Sequence, residues 1–144
     1  MTYTIEEYLK GGFQTSKEIQ AEAGLSQSTV TRKIKEMSDR IVAVREGRRV
    51  QYATTCNAYG ANDRLPLGII DSKGQTTIFG DIRPLAHGGN FLALDSRASR
   101  LYLGEGRNGV YDDLPYFLYD ARPQSFLGQR DQRIVHTKVA LYQQ

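Results

Sequence analysis

Leu25 to Met37 reads LSQSTVTRKIKEM, and its periodicity decides what kind of domain opens the chain. Val30, Ile34 and Met37 recur at helical spacing as an apolar stripe, while Gln27, Ser28, Thr31, Arg32 and Lys35 fill the other side. Ser26 is placed to cap the N-terminus. The wet face of a helix is ordinarily Glu and Lys; short hydroxyls, an amide and cations make a face suited to touching another molecule. A simple solvated face is the alternative reading when the helix is taken alone.

The flanking sequence gives that helix its setting. Upstream, TIEEYLKGG begins with Thr4 as an N-cap, carries Glu6 and Glu7 in its first turn, and stops at Gly11-Gly12. QTSKEIQAEAG repeats the pattern: Thr15 stands three residues before Glu18, a capping-box spacing, and Gly24 ends a helix from about Ser16 to Ala23. Two helices joined through Ala23-Gly24-Leu25 have helix-turn-helix order. Downstream, Ile41, Val42 and Val44 form one strand-prone run and Val50 with Tyr52 another, with Arg45-Glu46-Gly47-Arg48-Arg49 as the turn between them. Three helices followed by a hairpin with a basic tip are the order of a winged helix-turn-helix, placed at residues 1–55.

Charge supports an acidic partner for this part. The 144 residues carry a net +3, yet Ser26 to Tyr52 alone hold seven Lys or Arg against three Asp or Glu, which leaves the remainder close to neutral. The DNA major groove admits one α-helix and offers donors and acceptors that amide, hydroxyl and guanidinium groups can pair with. Ser26, Gln27, Ser28, Thr31 and Arg32, at the start of the third helix, are the expected base-reading group. Lys33 and Lys35 are expected to lean toward phosphates, and Arg48 and Arg49 to reach the neighbouring minor groove or backbone. Double-stranded DNA is the partner this implies, and a homodimer is the default state for reading two half-sites. A winged helix that docks a protein instead remains the alternative.

Cys56 to Arg64 is rich in Asn, Gly and Ala without periodicity, and reads as a linker over residues 56–64. Beyond it the composition turns toward strand and turn. LPLGIIDSKGQTTIFGDI has two strand-prone runs around Asp71-Ser72-Lys73-Gly74, and FLALDSRASRLYLGEG is expected to supply two further short strands about a polar turn. YDDLPYFLYDARPQSFLG is the most apolar and aromatic stretch, expected to hold short helical pieces. The overall class is therefore α+β, with a small sheet-rich domain over residues 65–144.

Enzymatic constellations are missing. His87 and His136 are far apart and neither has a cysteine at metal-ligand spacing. Gly104 to Gly109, GEGRNG, fits neither a dinucleotide fingerprint nor a P-loop. HGGN at His87 to Asn90 has no nucleophile elbow to serve, and Asp112-Asp113 reads as a turn. The single cysteine, Cys56, cannot form an internal disulfide, and the N-terminus has no signal-peptide pattern, so a cytoplasmic protein without a cofactor is expected.

From Asp63 onward the chain resembles a known family. LPLGIIDSKGQTTIFGDIRPL, residues 65–85, and DDLPYFLYDARPQSFLG, residues 112–128, resemble the N-terminal part of HipA-family serine/threonine kinases, the toxin kinases of bacterial toxin-antitoxin systems. SDRIVAVREGRRVQYA, residues 38–53, is similar to the wing of the subgroup with a helix-turn-helix in front of the kinase. In such kinases the ATP site and the catalytic and metal-binding Asp residues lie in a longer C-terminal region, so no catalytic residue carries over and the chain itself is expected not to be an enzyme. The resemblance implies a HipA-like kinase chain as partner, docked through Leu114, Pro115, Phe117, Arg122, Pro123, Gln124, Phe126 and Leu127. The apolar members of that set would serve equally as the domain's own core. Two functions follow: a DNA-binding regulator or antitoxin-like component, or an N-terminal fragment of a longer HipA-like kinase.

Overall fold

Thr4 shows how the N-terminal helices are set. Its hydroxyl accepts from the Glu7 N–H (3.4 Å), and the Glu7 carboxylate accepts from the Thr4 N–H (2.7 Å), which starts α1 at Ile5–Lys10. The same reciprocal pair at Thr15 and Glu18 (3.3 and 2.6 Å) starts α2, Ser16–Ala23. Each pair satisfies two backbone donors that a helix start leaves open. Gly24 ends α2 in the left-handed conformation, φ 64° and ψ 29°, and two residues later Ser26 caps α3, Gln27–Glu36. A side chain at Gly24 would strain that turn, which sets the direction of α3. These observations come from a computed structural model, which describes residues 4–60, 62–104 and 108–121.

β2 (Ile41–Glu46) and β3 (Arg49–Thr54) pair antiparallel through six residue pairs, from Ile41↔Thr54 to Glu46↔Arg49. A third strand, β1, is only Gln14–Thr15 and pairs with β3 at Tyr52 and Gln51, giving the order β1-β3-β2. Nothing in the local pattern marks a two-residue strand, and the sequence reading has no such element. Ile5, Leu9, Ile19, Val30 and Ile41 form the buried cluster, with Leu25, Ile34, Met37 and Tyr52 packed on it. Val42, Val44 and Ala53 are also buried, and their pairing places them on the sheet face opposite Ile41 and Tyr52.

The chain divides into two compact units, residues 1–63 with 84–88, and residues 64–83 with 89–144. Pro84–Gly88, which the sequence reading puts inside the second domain, thus belongs to the first. Its hold is largely backbone: the Cys56 N–H donates to the Pro84 carbonyl and the Ala86 N–H to the Thr54 carbonyl, both at 2.9 Å. Leu85, 3% exposed, forms a lone bridge with Thr55, and the Cys56 thiol donates to its carbonyl at 3.5 Å.

The second unit holds β4 (Leu65–Ile70), most of β5 (Thr76–Pro84), β6 (Asn90–Leu94) and β7 (Val110–Tyr111), in the sheet order β4-β5-β6-β7. The β4–β5 turn is fixed by Asp71, whose carboxylate accepts from the Lys73 and Gln75 N–H groups at 2.8 and 2.9 Å. The second strand expected within residues 91–104 is instead a 3-10 helix, Arg100–Leu103, capped by the Ser99 hydroxyl accepting from the Leu101 N–H. A serine that can satisfy a free backbone donor locally competes with a strand ladder. A further 3-10 helix spans Tyr116–Ala121. Helix and sheet in separate runs make the chain α+β.

Candidate nucleic-acid interface

The rotation of α3 is fixed by what it buries. Val30 is 0% exposed, and Ile34 and Met37 pack on the same cluster. Gln27, Ser28, Thr31, Arg32 and Lys35 are all exposed and share the flank that this leaves outward. Lys33 does not join them: two residues of helix rotate it by roughly 160° from Lys35, onto the other flank. Ser26 is spent on the helix start, its hydroxyl accepting from the Thr29 N–H (3.3 Å) and lying 3.0 and 2.9 Å from the Ser28 and Thr29 hydroxyls.

Carboxylates hold three of the cations in this region. Arg32 lies 3.2 Å from Glu36 one turn on, Arg40 lies 3.5 Å from Glu6, and Arg49 lies 3.4 Å from Glu18. Arg49, expected at the tip of the hairpin as a contact, therefore ties β3 to the start of α2. Glu18 is held below the usual carboxylate range first by the Thr15 backbone N–H, then by the Thr15 hydroxyl, with Arg49 adding a smaller pull. Lys35, Arg45 and Arg48 are exposed and have no ion-pair partner among the described residues. Arg45, read from the sequence as part of the hairpin turn, lies instead within β2, where it alternates with buried Val44 and Val42.

The expected kinase-docking set divides differently. Pro115 is among the most deeply buried side chains of its unit, so it is core rather than surface. Phe117 is half-buried in an aromatic cluster, its ring centroid 4.9 Å from Tyr102, 6.4 Å from Phe79 and 5.4 Å from Tyr116. Packing of this kind gives aromatic rings a reason to face inward. Leu114 is half-buried, while Arg122, Pro123, Gln124, Phe126 and Leu127 lie outside the described residues. Apolar groups that do face outward in this unit lie elsewhere: Ile69, Ile70 and Ile78 on β4 and β5, and the pair Leu101, at 80% exposure, and Tyr116, at 52%, linked by the Tyr116 hydroxyl donating to the Leu101 carbonyl at 3.4 Å.

Among the described residues no helix is long and apolar enough to cross a membrane. No solved structure matches the chain. Over 125 residues the chain is 28% identical to Toxin YjjJ of Escherichia coli (strain K12), a span that covers 87% of the chain and reaches beyond its second unit into the first. The chain spans about a quarter of that relative's length, 26%. Residues 61–144 match the family described as the YjjJ-like toxin middle domain, and with more than half of its length in that match the chain belongs to the YjjJ-like toxin family.

Proposed function

We propose that the first unit is a winged helix-turn-helix that binds duplex DNA, and that the chain is the DNA-binding regulatory component of a HipA-type toxin-antitoxin system in the cytoplasm. The observation that carries this reading is the outward flank of α3. Gln27, Ser28, Thr31, Arg32 and Lys35 are exposed together near a capped helix start, and Arg48 stands exposed on the β2–β3 turn. Amide, hydroxyl and guanidinium groups on the first turns of a helix are what base edges in a major groove can pair with. Free cations at a hairpin tip fit phosphate.

The test is fluorescence anisotropy of the purified chain on a duplex selected from a randomised library and on random duplex, over a salt series. Binding is expected to weaken steeply with salt. Arg32→Ala is expected to cost about 1–3 kcal/mol on the selected duplex and to blur its preference, and Arg48→Ala to weaken both duplexes alike and lower the salt slope by about one. A salt-independent or absent signal would leave the unit as a protein-docking winged helix.

The second unit is proposed to contact a HipA-like kinase chain through Leu101 and Tyr116, with the chain itself acting by binding rather than by phosphoryl transfer. Leu101→Ser should weaken co-purification with a separately produced kinase chain from the same genome. Transfer of phosphate from labelled ATP by the isolated chain would refute the non-catalytic part. That the chain spans 26% of Toxin YjjJ supports a second reading, in which these residues are part of a longer protein, proposed here to be a HipA-like kinase with this chain as its N-terminal fragment. The size of the native polypeptide in an immunoblot separates the two.

A further inference from the structure

Glu36 sits where local physics disfavours it. It is the last residue of α3, and a carboxylate there opposes the negative end of the helix dipole, while Lys33 and Lys35 in the same turn favour it. Residues that break a local rule without a structural return are most often found at functional positions. Glu36 has one contact that explains it: its Oε1 accepts from the Arg32 guanidinium at 3.2 Å, across a single turn and with both side chains more than half exposed, 57% and 66%. A pair this exposed adds little to stability.

Resting on the DNA-binding reading above, we propose that Glu36 is a positioning and specificity residue, which presents Arg32 to guanine and discourages its use on phosphate. The guanidinium has five N–H donors in a fixed fork; Glu36 engages one terminal nitrogen, and the remaining donors suit the paired O6 and N7 acceptors of guanine. Holding the side chain in one orientation removes part of the ordering cost of a bidentate contact. The same carboxylate repels the DNA backbone, so a complex made of phosphate contacts alone gains less from Arg32. Both effects favour the selected duplex over random DNA.

The experiment compares wild type, Glu36→Gln, Arg32→Ala and the double variant on the selected and random duplexes at low salt. Asp112→Asn serves as a control that removes one exposed negative charge from the second unit. Glu36→Gln is expected to bind random duplex about three- to fivefold more tightly, through lost repulsion and a freed arginine. Its selected-to-random ratio should fall by about three- to tenfold, with thermal stability unchanged or slightly raised. Asp112→Asn should leave the ratio unchanged, and in the Arg32→Ala background Glu36→Gln should no longer change base preference. Wild-type binding with an unchanged ratio in Glu36→Gln, or an equal fall in the Arg32→Ala background, overturns this inference alone. Failure of the wild-type chain to bind either duplex overturns the DNA-binding reading beneath it.

Discussion

The two units reach order by different means. In the first, three helix starts are each closed by a hydroxyl accepting from a backbone N–H three residues on, at Thr4, Thr15 and Ser26, and a small aliphatic cluster gathers the helices. In the second, much of the fit lies where side chains are missing. A Cβ on Gly80 would stand 2.5 Å from the Ala93 carbonyl oxygen, and one on Gly109 would stand 2.6 Å from that of Leu92. Capping instructions act within a few residues; a close backbone approach matters only once distant segments have met. The first unit is thus specified by what its residues offer, the second in part by what they leave out.

Four substitutions or titrations test this contrast. Ile19→Ala should have the largest effect, about 3–4 kcal/mol lost in urea unfolding, because Ile19 is 0% exposed at the centre of the helical cluster. A loss under about 1 kcal/mol would mean that the caps, not the cluster, organise the first unit. Gly109→Ala should follow at about 2–3 kcal/mol: the residue holds φ at 77°, and the new methyl would meet backbone that cannot swing away. Unaltered stability there would remove the contrast between the units. Thr15→Ala should cost about 1 kcal/mol, the usual value for an N-cap, and the far-ultraviolet helix signal should fall with it.

The smallest effect is a titration. Glu18 is held ionised in the folded chain by the Thr15 N–H, then the Thr15 hydroxyl, and last Arg49, so its folded value lies below its unfolded one. A depressed carboxylate adds stability above the unfolded value and loses it as pH falls through the folded one. The Glu18 side chain should therefore titrate below the ordinary glutamate range by NMR, and Thr15→Ala should move its midpoint upward. An ordinary midpoint in the wild-type chain would sink the argument.

Legibility in the sequence followed the same division. Thr4, Thr15, Gly24 and Ser26 could be read directly, since each acts on neighbours within a few positions. β1 could not, because two residues acquire strand character only through Tyr52 and Gln51 far along the chain. Where a strand was expected, Ser99 starts a 3-10 helix, its hydroxyl accepting from the Leu101 N–H and its carbonyl from the Tyr102 N–H. At the candidate interface, residue type identified the flank of α3 but not the partners of its charges. Arg32 meets Glu36 at the i, i+4 spacing of one helix, whereas only the fold sets Glu18 against Arg49, 31 residues away. In the second unit, apolar character could not separate Pro115, which is buried, from Leu101, which faces outward.

The placement of Pro84–Gly88 bears on how the molecule is made. Because this segment completes the first unit, a ribosome that has released only the residues up to Asp63 has not released a finished domain. The stretch from Arg64 to Arg83 must emerge first, before its own sheet has β6 and β7 to complete it. Domains that occupy one continuous run can fold in order of synthesis. Here the early half waits on the later one, and a gene fusion or protease cut at residue 63 would transplant an open fragment rather than a module.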